Sequence, residues 1–247
     1  MEMWVQVMLV IVINFLSALL QASTGFGYGL TAMAMMPLFL PMSTCSAISA
    51  VTVVAIGLQM SLSLRMELEL KTILIPVASC MLTINLGLWI LDQCNEMVLR
   101  IILAGLLLLV TGLFFYTRVR KIVIPNKWYF GVLFGLITGI STGMFNVVGP
   151  FLLIYYMNVC EKTLPMKANL EFSFLTAGLY STFNHIFVYH NITWAVSPMI
   201  IGSVIAAWIA GAVGLRIYRK CNKDKIALFI YIFLPIMAAS LFYNGLK

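Results

Sequence analysis

Apolar residues run through this chain in long blocks, and polar residues fall mostly between the blocks. Ten apolar segments stand out, at about 4–22, 29–41, 44–64, 72–91, 97–117, 128–143, 146–158, 168–189, 194–216 and 225–244. A helix needs about 20 such residues to cross a ~30 Å hydrocarbon core. Six segments meet that length comfortably: 44–64, 72–91, 97–117, 168–189, 194–216 and 225–244. Segments 29–41 and 146–158 are too short to span untilted, and each follows a glycine-containing interruption. The pattern predicts an all-α polytopic membrane protein, built as a single transmembrane domain over residues 1–247.

Composition strengthens that reading. Of the 247 residues 62% are hydrophobic and 9% charged, against about 25% charged in soluble domains. Lipid can solvate that apolar surface where water cannot. The formal net charge is +7. In a soluble protein it would suggest nucleic acid; here the positions of the basic residues matter more, and no nucleic-acid partner is expected. The opening Met1-Glu2-Met3-Trp4 lacks the basic flank of a secretory signal, so the first apolar run is expected to be retained. Cys45, Cys80, Cys94, Cys160 and Cys221 are scattered and read as packing thiols. No metal or cofactor is expected. The phosphate-loop, zinc-protease and nucleophile-elbow signatures of enzymes are missing from the sequence.

Charge gives an orientation. Thirteen of the fifteen basic residues lie in four stretches, 65–71, 118–127, 162–167 and 216–225. Lys and Arg concentrate in cytoplasmic loops, so these four are assigned to the cytoplasm, most simply of a bacterial inner membrane. The chain is then inside at Lys127 and again at Lys162, so the two segments between form a hairpin, full-depth or re-entrant. By the same counting 4–22 and 29–41 form a hairpin that starts and ends outside. Each half is a hairpin plus three spans: repeat 1 over about 1–117, repeat 2 over about 128–247. An odd number of spans per half makes the halves face opposite ways. Ser23-Thr24-Gly25 recurs as Ser141-Thr142-Gly143, an offset of 118. Together these features fit an inverted-topology repeat of the kind secondary transporters use.

The breaks are the strongest pointer to a site. The first reads Gln21-Ala22-Ser23-Thr24-Gly25-Phe26-Gly27-Tyr28-Gly29. Its alternating glycines disfavour a continuous helix and let backbone approach a ligand. A helix restarting near Tyr28–Leu30 would point free N–H groups at the site, an end that suits anions. The second break holds Ser141, Thr142, Gly143, Asn146, Gly149 and Pro150; Pro150 suits a first helical turn, and Asn146 is placed to cap it. Close helix packing through glycine is the competing reading of both. Segment 168–189 is the polar span. Lys167 and Glu171 share a helix face, and His185 returns near it. Ionisable residues in a span usually face an interior path, so Lys167 is a candidate for anion attraction, and Glu171 and His185 for proton coupling. Against this stand a Lys167–Glu171 pair at the inner interface and a structural, hydrogen-bonded His185. Asn14, Gln21, Gln59 and Asn85 read as interhelical hydrogen-bonding residues. Asn191-Ile192-Thr193 matches a glycosylation sequon on an expected outer loop.

Three motifs resemble the sulfite exporter TauE/SafE family. They are Thr24-Gly25-Phe26-Gly27-Tyr28-Gly29; Phe145-Asn146-Val147-Val148-Gly149-Pro150, with apolar residues and Tyr155-Tyr156 after it; and Lys167-Ala168-Asn169. Val148 stands where the family often has glycine, and Lys167 where it often has arginine, whose planar fork matches an oxyanion better. The resemblance implies transport of small anions, commonly sulfur oxyanions or organosulfonates. The substrate-binding candidates are then Ser23, Thr24, Gly25, Gly27, Gly29, Ser141, Thr142, Gly143, Asn146, Gly149, Lys167 and Asn169. The expected function is a secondary transporter with a small anionic substrate and the lipid bilayer as partners, and a homo-oligomer is left open. A static anion channel and a membrane scaffold are the alternatives.

Overall fold

The computed structural model describes residues 2–119, 124–218, 232 and 235–243. Parts of two basic stretches, 120–123 and 219–225, lie outside the described residues, as does much of segment 225–244. Among the described residues the secondary structure is entirely helical. The helices are α1 Met3–Thr24, α2 Tyr28–Met35, α3 Met42–Ser63, α4 Leu70–Gln93, α5 Glu96–Val119, α6 Trp128–Phe145, α7 Gly149–Val159, α8 Thr163–Phe187 and α9 Ser197–Tyr218. Short 3₁₀ turns, Met36–Leu38 and Arg65–Glu67, follow α2 and α3.

Among the described residues six helices are long and apolar enough to cross a membrane, and they include α1 and α6. In each hairpin, therefore, the first arm is of span length and the second is short. At 1.5 Å per residue the eight residues of α2 cover about 12 Å and the eleven of α7 about 16 Å. The polar span α8 is 25 residues long yet falls outside that apolar set. Its polar side chains are accommodated by burial against other helices: Lys167, Asn169, Glu171, Ser173, Ser181 and His185 are all buried. Large apolar side chains instead face outward all over the molecule, as lipid requires. Trp4, Trp89, Trp128 and Trp194 are exposed at or near helix ends, where indole rings anchor proteins at the membrane surface.

The helices pair in matched sets. The two most extensive pairings are α4 with α6 and α1 with α9, so the long arm of each hairpin packs on the fourth helix of the other half. At the centre α3 packs on α8. Each also touches the other half's fourth helix, α3 with α9 and α8 with α4. The α4–α6 seam is built on glycine at every fourth residue of α6: Gly131, Gly135, Gly139 and Gly143. A Cβ on Gly135, Gly139 or Gly143 would overlap the carbonyl oxygens of Pro76, Cys80 or Ile84. Small residues let helix backbones approach this closely where no hydrophobic effect drives them together. Thr83 Oγ1 crosses the seam to donate to Leu136 O at 2.8 Å.

The isolated polar residues also bridge helices. Gln59 Nε2 donates to Trp208 O at 3.1 Å and Asn85 Nδ2 to Tyr180 Oη at 2.9 Å. Asn14 accepts from the Tyr28 hydroxyl, tying α1 to α2.

Candidate functional site

The first break is made by glycine geometry. Gly25 ends α1 at φ 94°, with its N–H donating to Gln21 O at 2.6 Å; Gly27 precedes α2 at φ 106°. Both lie in left-handed space, where a side chain is strained. Between them Phe26 N donates to Thr24 Oγ1 at 3.1 Å, while that hydroxyl lies 2.6 Å from Phe26 O. The chain therefore turns on its own polar groups, and α2 starts at Tyr28, where the glycine pattern places it.

The second break does the same without glycine. Asn146 ends α6 at φ 52°, and its N–H donates to Thr142 O at 2.8 Å. Asn tolerates that conformation better than most residues. Ser141 Oγ donates to Val147 O at 2.8 Å and holds the turn. Pro150 sits in the first turn of α7, as expected. The capping expectation needs correction. The residue before α7 is Val148, and no side chain caps that end. Asn146 is used up in closing α6, and its amide reaches across to α3, donating to Ser46 O at 2.8 Å and Ser46 Oγ at 3.0 Å. Thr142 and Gly143 are helical rather than broken: Thr142 Oγ1 donates to Thr138 O at 2.6 Å, and Gly143 packs on α4.

Helix boundaries therefore give a different register from the Ser-Thr-Gly match. Thr24 to Phe145, Tyr28 to Gly149 and Met42 to Thr163 are each 121 residues apart. At that interval Gly25 corresponds to Asn146 and Ser46 to Lys167. The contacts correspond too. Asn146 is bonded to Ser46, and the Lys167 stem lies 3.8 Å from where a Cβ on Gly25 would sit. Lys167 Nζ donates to Ala22 O at 3.0 Å. That carbonyl belongs to the last turn of α1, which carries the negative end of the helix dipole.

The two tips touch. A Cβ on Gly29 would overlap the Asn146 carbonyl oxygen, and one on Gly149 would lie 3.0 Å from Phe26 Cβ. Around the tips, Gln21 Nε2 donates to Glu171 Oε2 at 3.1 Å. On the other side His185 Nε2 lies 3.2 Å from Ser46 Oγ, and His185 Nδ1 lies 3.0 Å from Asn191 Nδ2. His185 bridges Ser46 and Asn191 through its two ring nitrogens. A chain of polar contacts thus runs from Asn191 through His185 and Ser46 to Asn146.

Other candidates sit apart. Asn169 accepts from Glu69 N at 2.9 Å and donates to Cys160 Sγ at 3.4 Å, tying two loops together. Ser23 Oγ donates back to Leu20 O at 3.0 Å. The open groove between α1 and α9 is lined by Ile11, Phe15 and Ile205 and holds none of the candidates. Sequence reading did not single out Ser46. Aligning the two breaks by position rather than by Ser-Thr-Gly would have paired it with Lys167. No group of His, Cys, Asp and Glu able to hold a metal occurs among the described residues.

Two broken hairpins thus meet tip to tip inside a bundle of span-length helices, with their irregular backbone buried within protein, where a membrane fold tolerates it. The chain belongs to the sulfite exporter TauE/SafE family, whose family model matches residues 10–241, nearly its whole length. It is thus a multi-pass transport protein of the membrane. Searches of curated proteins and of solved structures found no match.

Proposed function

We propose that this protein is a secondary transporter of a small sulfur anion, of the sulfite, thiosulfate or sulfoacetate type, working by alternating access. The two halves, about 1–117 and 128–247, are an inverted repeat within one domain. The four basic stretches face the cytoplasm of a bacterial inner membrane. The anion binds where the tips of the hairpins meet, against the backbone of Gly25–Gly29 and Asn146–Gly149. Lys167 supplies the positive charge.

One observation carries the reading: the matched pair of tip contacts, Gly25 with Lys167 and Asn146 with Ser46, set at the same 121-residue interval. Two halves with equivalent tip contacts can exchange conformations and open the centre first to one side, then to the other. In that exchange Lys167 releases the Ala22 carbonyl when an anion takes its place.

The test is uptake of labelled sulfite, thiosulfate and sulfoacetate into proteoliposomes. Saturable flux with counterflow is expected. Conduction without counterflow would favour a static channel, and no flux of any of the three, from correctly inserted protein, would favour a scaffold.

A further inference from the structure

Gln21 and Glu171 are both fully buried, on different halves of the molecule, and share one hydrogen bond. That bond uses Gln21 Nε2 and Glu171 Oε2. The remaining oxygens, Gln21 Oε1 and Glu171 Oε1, are buried without any hydrogen-bond partner. Both are acceptors when the carboxyl is ionised, and an unsatisfied buried acceptor is costly. A single proton on Glu171 Oε1, donated to Gln21 Oε1, satisfies both together. The result is an acid–amide pair joined by two hydrogen bonds in place of one.

We infer that Glu171 and Gln21 form the proton site of this transporter, and that the proton and the anion bind together. Two oxygens suffice for a proton, whereas hard metal cations take about six or more oxygen ligands. The direction of coupling follows from charge. Glu171 lies one turn from the Lys167 cation on the same face of α8; α1 presents only the neutral Gln21 amide to it. An ionised Glu171 beside the anion site opposes a second negative charge, and protonation removes that opposition. Proton and anion therefore raise each other's affinity by the same factor and travel in the same direction. The matched positions in the other half are Ala50 and Thr142, neither of which has a titratable side chain, so that half carries no counterpart.

The coupling rests on the transport reading; the proton site does not, and two measurements separate them. The first is an infrared difference spectrum, wild type minus Glu171→Gln, over a pH series. It is expected to show a hydrogen-bonded carboxylic-acid band that moves to higher frequency in Gln21→Leu. No such band, or a band indifferent to Gln21→Leu, overturns the proton site. The second is thiosulfate flux in proteoliposomes; this anion brings no proton of its own near neutral pH. A pH gradient is expected to drive thiosulfate accumulation in the wild type and to lose that drive in Glu171→Gln. Accumulation driven by sodium without a pH response, or anion moving against the proton, overturns the coupling. The band without any thiosulfate flux removes the transport reading for this anion and keeps the proton site.

Discussion

The two breaks solve one backbone problem with different chemistry. The first turns through two left-handed glycines and leaves the cross-contact to Lys167, which reaches in from α8. The second turns through a left-handed asparagine, which also makes the cross-contact itself by donating to Ser46. One break is thus met by a cation and the other by a neutral amide and hydroxyl. The comparison teaches that two similar breaks can be met by unlike chemistry: the Lys167 cation reaches the Gly25 side, one turn from Glu171, while the Asn146 side carries the polar chain through Ser46 to His185.

The contact between the tips offers the largest effect. Gly29→Leu pushes a side chain into the Asn146 carbonyl, and overpacking of this kind costs about 1–3 kcal/mol or more. A lower melting temperature in detergent and loss of flux are expected; normal stability would mean that the tips separate readily. Next comes Lys167→Ala. Losing a charged hydrogen-bonding group costs about 1.5–3 kcal/mol, so apparent affinity for the anion should fall about tenfold or more. Flux kinetics check this, and Lys167→Arg should restore much of the affinity. An unchanged KM in Lys167→Ala would leave that lysine as a helix-end partner alone.

Asn146 allows its two roles to be separated. Asn146→Gly keeps the left-handed turn and loses the amide, at about 0.5–1.5 kcal/mol per hydrogen bond. Asn146→Ala loses the amide and adds about 1–2 kcal/mol of backbone strain. Thermal unfolding should therefore rank wild type above Gly above Ala. At the first break, Gly25→Ala should carry the strain alone. Equal stability of the two Asn146 variants would show that the turn, unlike that at Gly25, relaxes at little cost. The smallest effect belongs to Ser46→Ala, at about 1 kcal/mol, with little change in anion affinity because the charge lies on the other side.

Much of the fold was readable from the sequence. The apolar blocks marked the helices, and the starts of α2 and α7 were signalled by Gly27 and Pro150. The polar span was visible as a cluster from Lys167 to His185. Its partners were not. Gln21 read only as an interhelical residue, and Ser46 stood out only by its position relative to the first break, 121 residues before Lys167. The Ser-Thr-Gly match misled by three positions because Gly143 serves the α4 seam rather than the break. The glycine spacing of α6 was present in the sequence but has meaning only once α4 lies against it.

The sequence by itself determined that this is a bundle of membrane helices with two interrupted hairpins. Hydropathy, glycine and proline act on the chain locally, and their effects can be counted along it. Only the tertiary structure decided that the two tips touch, that Lys167 meets α1 and Asn146 meets α3, and that Glu171 faces Gln21. These contacts join residues 100 to 150 positions apart, and their geometry depends on how closely glycine seams let whole helices approach.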